Sequence, residues 1–157
     1  MILDAQAQFS DSQALTATAL STNVIDLSAD RAIGRGEPMA VVFNVEVAAD
    51  QVTGDEDYTF AVEVASDAAI TTARQELGRR IFESGTPTAP AQNADLLVAG
   101  YTFVLPLPPT GLGESERYMG VRYTLAGTTP TITVSAYLVP MSMLQGNESF
   151  PDAITIS

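Results

Sequence analysis

Residues 116–140 have the sequence ERYMGVRYTLAGTTPTITVSAYLVP, which gives the clearest indication of the fold class. Apolar and polar side chains alternate along each half, which is the pattern of half-buried β-strands. Met119 and Val121 share one face of the first half, and Ile132 and Val134 share one face of the second. The short GTTP segment between the halves resembles a turn, so we expect the two strands to form a hairpin.

The same period-two alternation recurs in residues 38–48, 58–66 and 101–108. We expect the first two of these runs to form a second hairpin, joined by an acidic loop. Pro106 lies inside the third run, and proline is typical of edge strands because it has no backbone N–H. Short strands separated by Gly- and Pro-rich linkers predict an all-β fold, a jelly-roll-like β-sandwich.

Residues 67–83 are ambiguous between strand and helix. Our preferred interpretation is two short strands, at residues 70–74 and 79–82. The alternative is a helix over residues 67–77, because Ala, Arg, Gln and Glu favour helices.

The two ends of the chain lack a clear strand pattern, so we divide it into an extended N-terminal arm (1–30), a sandwich domain (31–140) and a C-terminal tail (141–157). Within the arm, Asp11 is a good N-cap for a possible helix over residues 12–19, but the threonines in that segment disfavour a stable helix. A short strand near residues 23–27 fits better. The arm either folds back as a terminal strand of its own sandwich or reaches onto a neighbour.

Composition excludes several functions. The chain carries 19 acidic and 7 basic residues, a net charge of −12, and no His or Cys; all seven basic residues are arginine. Such a charge disfavours nucleic acid and anionic membranes as partners. Without His, Cys or Lys, thiolate metal sites, Schiff bases and Ser-His-Asp triads are excluded. No signal peptide or membrane helix is apparent at the N-terminus, which predicts a soluble protein made in a cytoplasm.

Three acidic or glycine-rich motifs have a structural and a chemical interpretation. The loop 50–57 (DQVTGDED) is either a solvated turn or a weak cation site, without EF-hand spacing. The Gly-x-Gly of residues 33–38 precedes a strand, whereas phosphate-binding glycine loops open a helix. Glu114 and Glu116 could form a glycosidase pair, but no Trp platform accompanies them, so rim charges are the better interpretation. We therefore predict no catalytic residue, no metal and no cofactor.

Partner-binding candidates come from apolar residues outside the strand pattern and from the arginines. Arg31 and Arg35 flank the Gly-x-Gly turn, and Arg79 and Arg80 form a local basic pair that either contacts an acidic patch or is simply solvated. The complete set is Ile2, Leu3, Phe9, Leu15, Arg31, Arg35, Arg79, Arg80 and Phe150.

Four segments together resemble the capsid cement (decoration) proteins of tailed bacteriophages. They are the N-terminal MILDAQAQFSDSQALTATALSTNVIDL, IGRGEPMAVVFNVEVAAD, DEDYTFAVEVASD and the closing ERYMGVRYTLAGTTPTITVSAYLVP. The resemblance implies a non-enzymatic jelly roll on the outer capsid surface that bridges major capsid proteins, with copies paired as dimers or trimers at local symmetry axes. A carbohydrate- or cation-binding adhesion module is the alternative.

Overall fold

A computed structural model describes residues 5–29, 36–108 and 116–145 of the chain. The regular secondary structure of these residues is almost entirely β, with a 3-10 helix at each of Ala5–Ala7 and Ala94–Leu96 and one short α-helix near the end. No helix within them is long and apolar enough to cross a bilayer. In chain order the elements are β1 (Gln8–Leu15), β2 (Ala19–Leu20), β3 (Ile25–Asp26), β4 (Met39–Val47), β5 (Asp57–Ala65), β6 (Gln75–Glu83), β7 (Gln92–Asn93), β8 (Thr102–Pro106), β9 (Tyr118–Ala126), β10 (Ile132–Pro140) and α1 (Met141–Gln145).

The strands form two sheets packed face to face, so the predicted all-β sandwich is confirmed. The first sheet has the order β1-β10-β4-β8, and the second has the order β2-β9-β5-β6-β7, with β3 also paired to β9. Every pairing is antiparallel except that of β6 with β7.

This strand order is that of a jelly roll. If β2 and β3 are counted as one position and the two-residue β7 is left out, the eight positions fall into sheets ordered 1-8-3-6 and 2-7-4-5. Such an order arises from two Greek keys, in which the chain passes from sheet to sheet at each step except that from β5 to β6. All connections therefore lie at the two ends of the sandwich.

The core fills the space between the sheets with the side chains that the period-two pattern selects. Phe60 is its centre: its ring centroid lies 5.4 Å from that of Phe43, 5.1 Å from Phe103 and 5.8 Å from both Phe82 and Tyr123. Edge-to-face aromatic pairs at these distances add to the stabilisation from burial. The faces predicted from sequence for β4, β5, β9 and β10 are confirmed in their central positions.

Both predicted hairpins are wrong. Strands β4 and β5 lie in different sheets, as do β9 and β10. Each strand instead pairs with strands distant in sequence, β10 with β1 and β4, and β9 with β5. The physical reason is that alternation determines which face of a strand is buried but not which strand lies beside it. A strand that passes to the opposite sheet buries the same apolar face as a strand that returns beside its neighbour in a hairpin.

The described part of the predicted arm belongs to the sandwich. Residues 8–15 form edge strand β1, and β3 lies in the strand expected near residues 23–27. This is the alternative in which the segment is a terminal strand of its own domain. The helix weighed for residues 12–19 does not form, because residues 10–15 bond to β10 instead.

Residues 66–74 form a turn rather than the expected strand or helix. The Asp67 carboxylate accepts hydrogen bonds from the backbone N–H groups of Thr71 (3.0 Å) and Thr72 (2.6 Å), which closes the turn. Ile70 is fully buried in it, at φ 53°. The strand begins only at Gln75 and runs without a break through the second predicted segment.

Candidate partner-binding surface

Two of the predicted contact residues lie inside the domain. Phe9 and Leu15 are buried and belong to the core between the sheets. Because β1 pairs with β10 over residues 8–15, its apolar side chains pack inward. In this structure they stabilise the sandwich and are not exposed to a partner, which corrects the sequence interpretation.

Five others, Ile2, Leu3, Arg31, Arg35 and Phe150, lie outside the described residues, as does most of the Gly-x-Gly motif and Glu114. The described residues that flank those segments share one end of the sandwich. Gln8 pairs with Tyr137, Met39 pairs with Pro140, which directly precedes α1, and β9 begins next to the end of β5. We call this the arm end.

The basic pair has two different environments because neighbouring strand residues point to opposite faces. The Arg80 Nε donates to Gln92 Oε1 at 3.0 Å, its Nη1 donates to the Val104 carbonyl at 3.3 Å, and its guanidinium lies 5.8 Å from the centroid of the Phe103 ring. Arg79 is more exposed and lies 3.2 Å from the Glu76 carboxylate. Arg80 is therefore held by its own domain, whereas Arg79 remains a surface charge.

Arg80 also protects the edge of the first sheet. Strand β8 is the edge strand that the sequence predicted, with a cleft of about 330 Å³ between it and β6. The Val104 carbonyl of β8 accepts a hydrogen bond from Arg80, and Pro106 has no N–H group that could donate to an added strand. An edge with a covered carbonyl and a proline resists the addition of another strand.

The acidic loop uses its carboxylates to hold its own backbone. Glu56 is fully buried, and it accepts hydrogen bonds from the N–H groups of Thr53 (3.0 Å), Gly54 (2.9 Å) and Asp55 (3.1 Å), and from the Thr53 hydroxyl. Asp55 in turn accepts from the N–H and hydroxyl of Thr128, in the connection between β9 and β10. These bonds, led by those from Thr53 and Thr128, lower the pKa of Glu56 and of Asp55.

Three connections meet at the end of the sandwich opposite the arm end. We call this surface the loop end and define it as residues 47–56, 94–100 and 127–131. Backbone hydrogen bonds join the three segments: Ala49 N–H donates to the Leu97 carbonyl, and Asp50 N–H to that of Thr131, both at 2.9 Å. The Gln51 side chain donates to the Ala94 carbonyl at 2.8 Å. The loop end is therefore one connected surface.

Exposed apolar side chains concentrate at the loop end. Five large apolar side chains are exposed among the described residues, and four belong to this surface: Val47, Val52, Leu96 and Val98. Val52 is 92% exposed. The fifth, Met143, lies in α1 at the arm end. The sequence interpretation missed Val52, Leu96 and Val98 because they fall in connections without periodicity; the apolar triplet 96–98 was the available signal. Val47 lies on the apolar face of the alternating run 38–48, but it is 59% exposed in the structure because β4 ends there.

The loop end is also acidic. It contains Asp50, Asp55, Glu56 and Asp95, and the strand ends beside it add the paired residues Asp57 and Glu83. None of the five described arginines lies there; they occupy the middle of β6 and β9 or the arm end. Burial, followed by repulsion from Glu83 and the neighbouring acids, raises the pKa of Asp57. Within the described residues, no group of three or more acidic side chains is arranged to hold a metal ion.

Comparison with known proteins gives one family. A family model described as Bbp16 matches residues 9–138, which is most of the chain. No curated protein matches the sequence. One solved structure, described as the structure of infectious bursal disease virus Gt strain, has a chain with 11% identity and a TM-score of 0.25; the match covers 90% of this chain and 43% of that one. This chain spans less than half the length of that viral chain, and so low a score establishes no common fold.

Proposed function

This chain belongs to the Bbp16 family, a virion-associated family, and we propose that it is a cement protein of a bacteriophage head. In this proposal it binds the outer surface of the capsid and bridges neighbouring major capsid proteins. Family membership over residues 9–138 is the observation that carries the proposal. The cement role itself comes from the resemblance of the sequence to decoration proteins.

The architecture supports a bridging role. A bridge needs two separate contact regions on a rigid body, and the jelly roll has its connections at two opposite ends. One end presents exposed apolar side chains, and the other carries the attachment points of residues 1–4, 30–35 and 146–157. Contacts of moderate strength at both regions, repeated over a shell, hold it by avidity.

We further propose that the protein has no catalytic activity. The sequence has no His, Cys or Lys, so acid–base chemistry would rest on carboxylates. Several described carboxylates are already committed to structural bonds: Glu56 and Asp67 close turns, and Glu63 pairs with Arg122 at 2.8 Å. Such groups maintain the fold.

Co-sedimentation tests the proposal directly. Purified protein is mixed with empty heads assembled without it, the heads are pelleted, and the bound fraction is measured. We expect saturable binding, with added density on the outer surface when decorated heads are imaged by electron cryomicroscopy. Protein that stays in the supernatant at all concentrations, or density on the inner surface, contradicts the proposal.

Two further measurements address partners and the alternative function. Sedimentation of the free protein distinguishes monomer from the dimer or trimer that we propose to occupy symmetry axes. A melting curve with and without saturating Ca²⁺ tests the adhesion-module alternative. A large Ca²⁺-dependent rise in melting temperature would favour that alternative, because a cation that binds only the folded state stabilises it.

A further inference from the structure

We propose that the loop end is the surface through which this protein docks, and that its partner is a basic surface of the virion shell with apolar side chains at its centre. This inference rests on the proposed cement function and deepens it by naming the contact region and its chemistry. None of the partner-binding residues proposed from the sequence lies in the loop end, and the loop end consists entirely of described residues.

The first support is the exposure of apolar side chains in one place. Isolated exposed apolar residues are normal on protein surfaces, whereas a concentration of them marks a contact site. Val52 (92% exposed), Val47 (59%) and Val98 (53%) lie in or beside segments that hydrogen bonds join to one another. A partner that covers these side chains removes them from water, and this burial favours binding.

The second support is that Val52 is presented on a rigid loop. The Asp50 carboxylate accepts from the Val52 N–H at 3.1 Å, and the flanking Gln51 and Thr53 are anchored to Ala94 and Glu56. A loop held in this way loses little conformational entropy when it is covered, so more of the contact energy appears as affinity. A merely solvated turn does not require this bracing.

The third support is charge. Asp50, Asp55 and Asp95 lie on the loop end, and Asp57 and Glu83 lie at its border. Their mutual repulsion is relieved by positive charge, which within the described residues the chain does not supply at this end. A basic partner surface is therefore complementary, and the attraction also speeds association.

A second copy of this chain fits the loop end poorly. In a two-fold contact the same patch faces itself, so acidic side chains would oppose acidic side chains. The chain has a net charge of −12, which adds to this repulsion. If copies associate, we expect them to do so through another surface.

The test separates apolar and charge contributions with exposed substitutions. Val52→Ser with Val98→Ser removes two apolar side chains, and Asp95→Arg reverses one charge. Their controls are Met143→Ser, which removes an exposed apolar side chain at the arm end, and Asp11→Arg, which reverses an exposed charge on β1. Binding of each variant to empty heads is measured by co-sedimentation, with salt concentration varied, and melting curves confirm folding.

We expect the double Val variant to bind at least about tenfold more weakly, since burying one valine is worth roughly that factor. Asp95→Arg should weaken binding most at low salt, where charge attraction is least screened. Asp11→Arg, in the middle of β1 between the two ends, should bind like wild type. Met143→Ser, at the arm end, should weaken binding less than the double Val variant does.

If wild-type protein fails to bind heads, the cement function fails and this inference fails with it. If wild type binds and the loop-end variants bind equally well, the inference alone is overturned. Equal weakening by Met143→Ser or Asp11→Arg overturns the assignment to the loop end. Weakened self-association of the double Val variant, with head binding unchanged, identifies a second copy as the occupant and also overturns it.

Discussion

Gly127 is the position at which a single methyl group should do most damage to the loop end. It has φ 94°, and a β-carbon there would overlap the Asp55 carbonyl and lie 2.7 Å from Glu56 Cα. All of these neighbours are backbone atoms, so they cannot move aside without displacing the acidic loop. Gly127→Ala therefore combines a backbone strain with a steric overlap.

The two costs can be estimated and separated. A left-handed φ costs an L-residue about 1–2 kcal/mol, and forcing extra volume into a packed site costs typically about 1–3 kcal/mol. We expect Gly127→Ala to lower the free energy of unfolding by about 3 kcal/mol, which in a chain of this size lowers the melting temperature by roughly 6–12 °C. At Gly54 (φ 75°) an added methyl group would have no neighbour within 4 Å, so Gly54→Ala isolates the strain.

Thermal unfolding followed by circular dichroism measures all the variants under one condition. Gly36→Ala is the neutral reference, because this glycine has neither a left-handed φ nor a neighbour within 4 Å. The expected order of stability is Gly36→Ala, then Gly54→Ala, then Gly127→Ala. If Gly127→Ala is no less stable than Gly54→Ala, the close approach of the two connections at the loop end is refuted.

Three further predictions concern the core, the buried ion pair and pH. Phe60→Ala should destabilise the fold by about 3–5 kcal/mol, because it leaves a cavity at the centre of the aromatic cluster; a loss below about 1 kcal/mol in urea unfolding would contradict the packing described. Glu63→Gln should lower the free energy of unfolding by about 3 kcal/mol, since it leaves the partly buried Arg122 charge without the Glu63 carboxylate. Adding Arg122→Met should recover part of this loss, and no recovery in the double variant argues against a coupled pair. The N–H groups of Thr72 and Thr71 lower the pKa of Asp67 from 3.8 to about 2, so its contribution to stability is complete above pH 3.8 and is lost as the pH falls towards 2. Asp67→Asn should flatten the acid limb of a stability-versus-pH curve, and an unchanged limb would count against this assignment.

Strands β4 and β5 show most clearly which features of the fold the sequence alone predicts. Alternation identified Phe43 and Phe60 as core residues correctly, because in a strand the side-chain period depends only on local backbone geometry. The same alternation placed the two strands in one hairpin, although they lie in opposite sheets. The edge position of β8 was predictable from Pro106, because proline has no N–H to donate and is not found in central strands.

The candidate surface was less predictable than the fold. Phe9 and Leu15 looked available to a partner because their strand is irregular: its register with β10 shifts twice, and this obscures the period-two signal. Val52 and Val98 follow no sequence pattern, and the segments that carry them come together only when connections distant in sequence meet.

The all-β class, the buried faces of the long strands and the acidic composition without His or Cys could all be predicted from the sequence. Each of these follows from composition or from the two-residue repeat, which neighbouring residues define without help from the rest of the chain. Which strands pair, and hence which loops share an end of the sandwich, became known only from the folded structure. Strand pairing depends on contacts between residues up to 129 positions apart, such as Gln8 and Tyr137, and a local pattern contains no record of them.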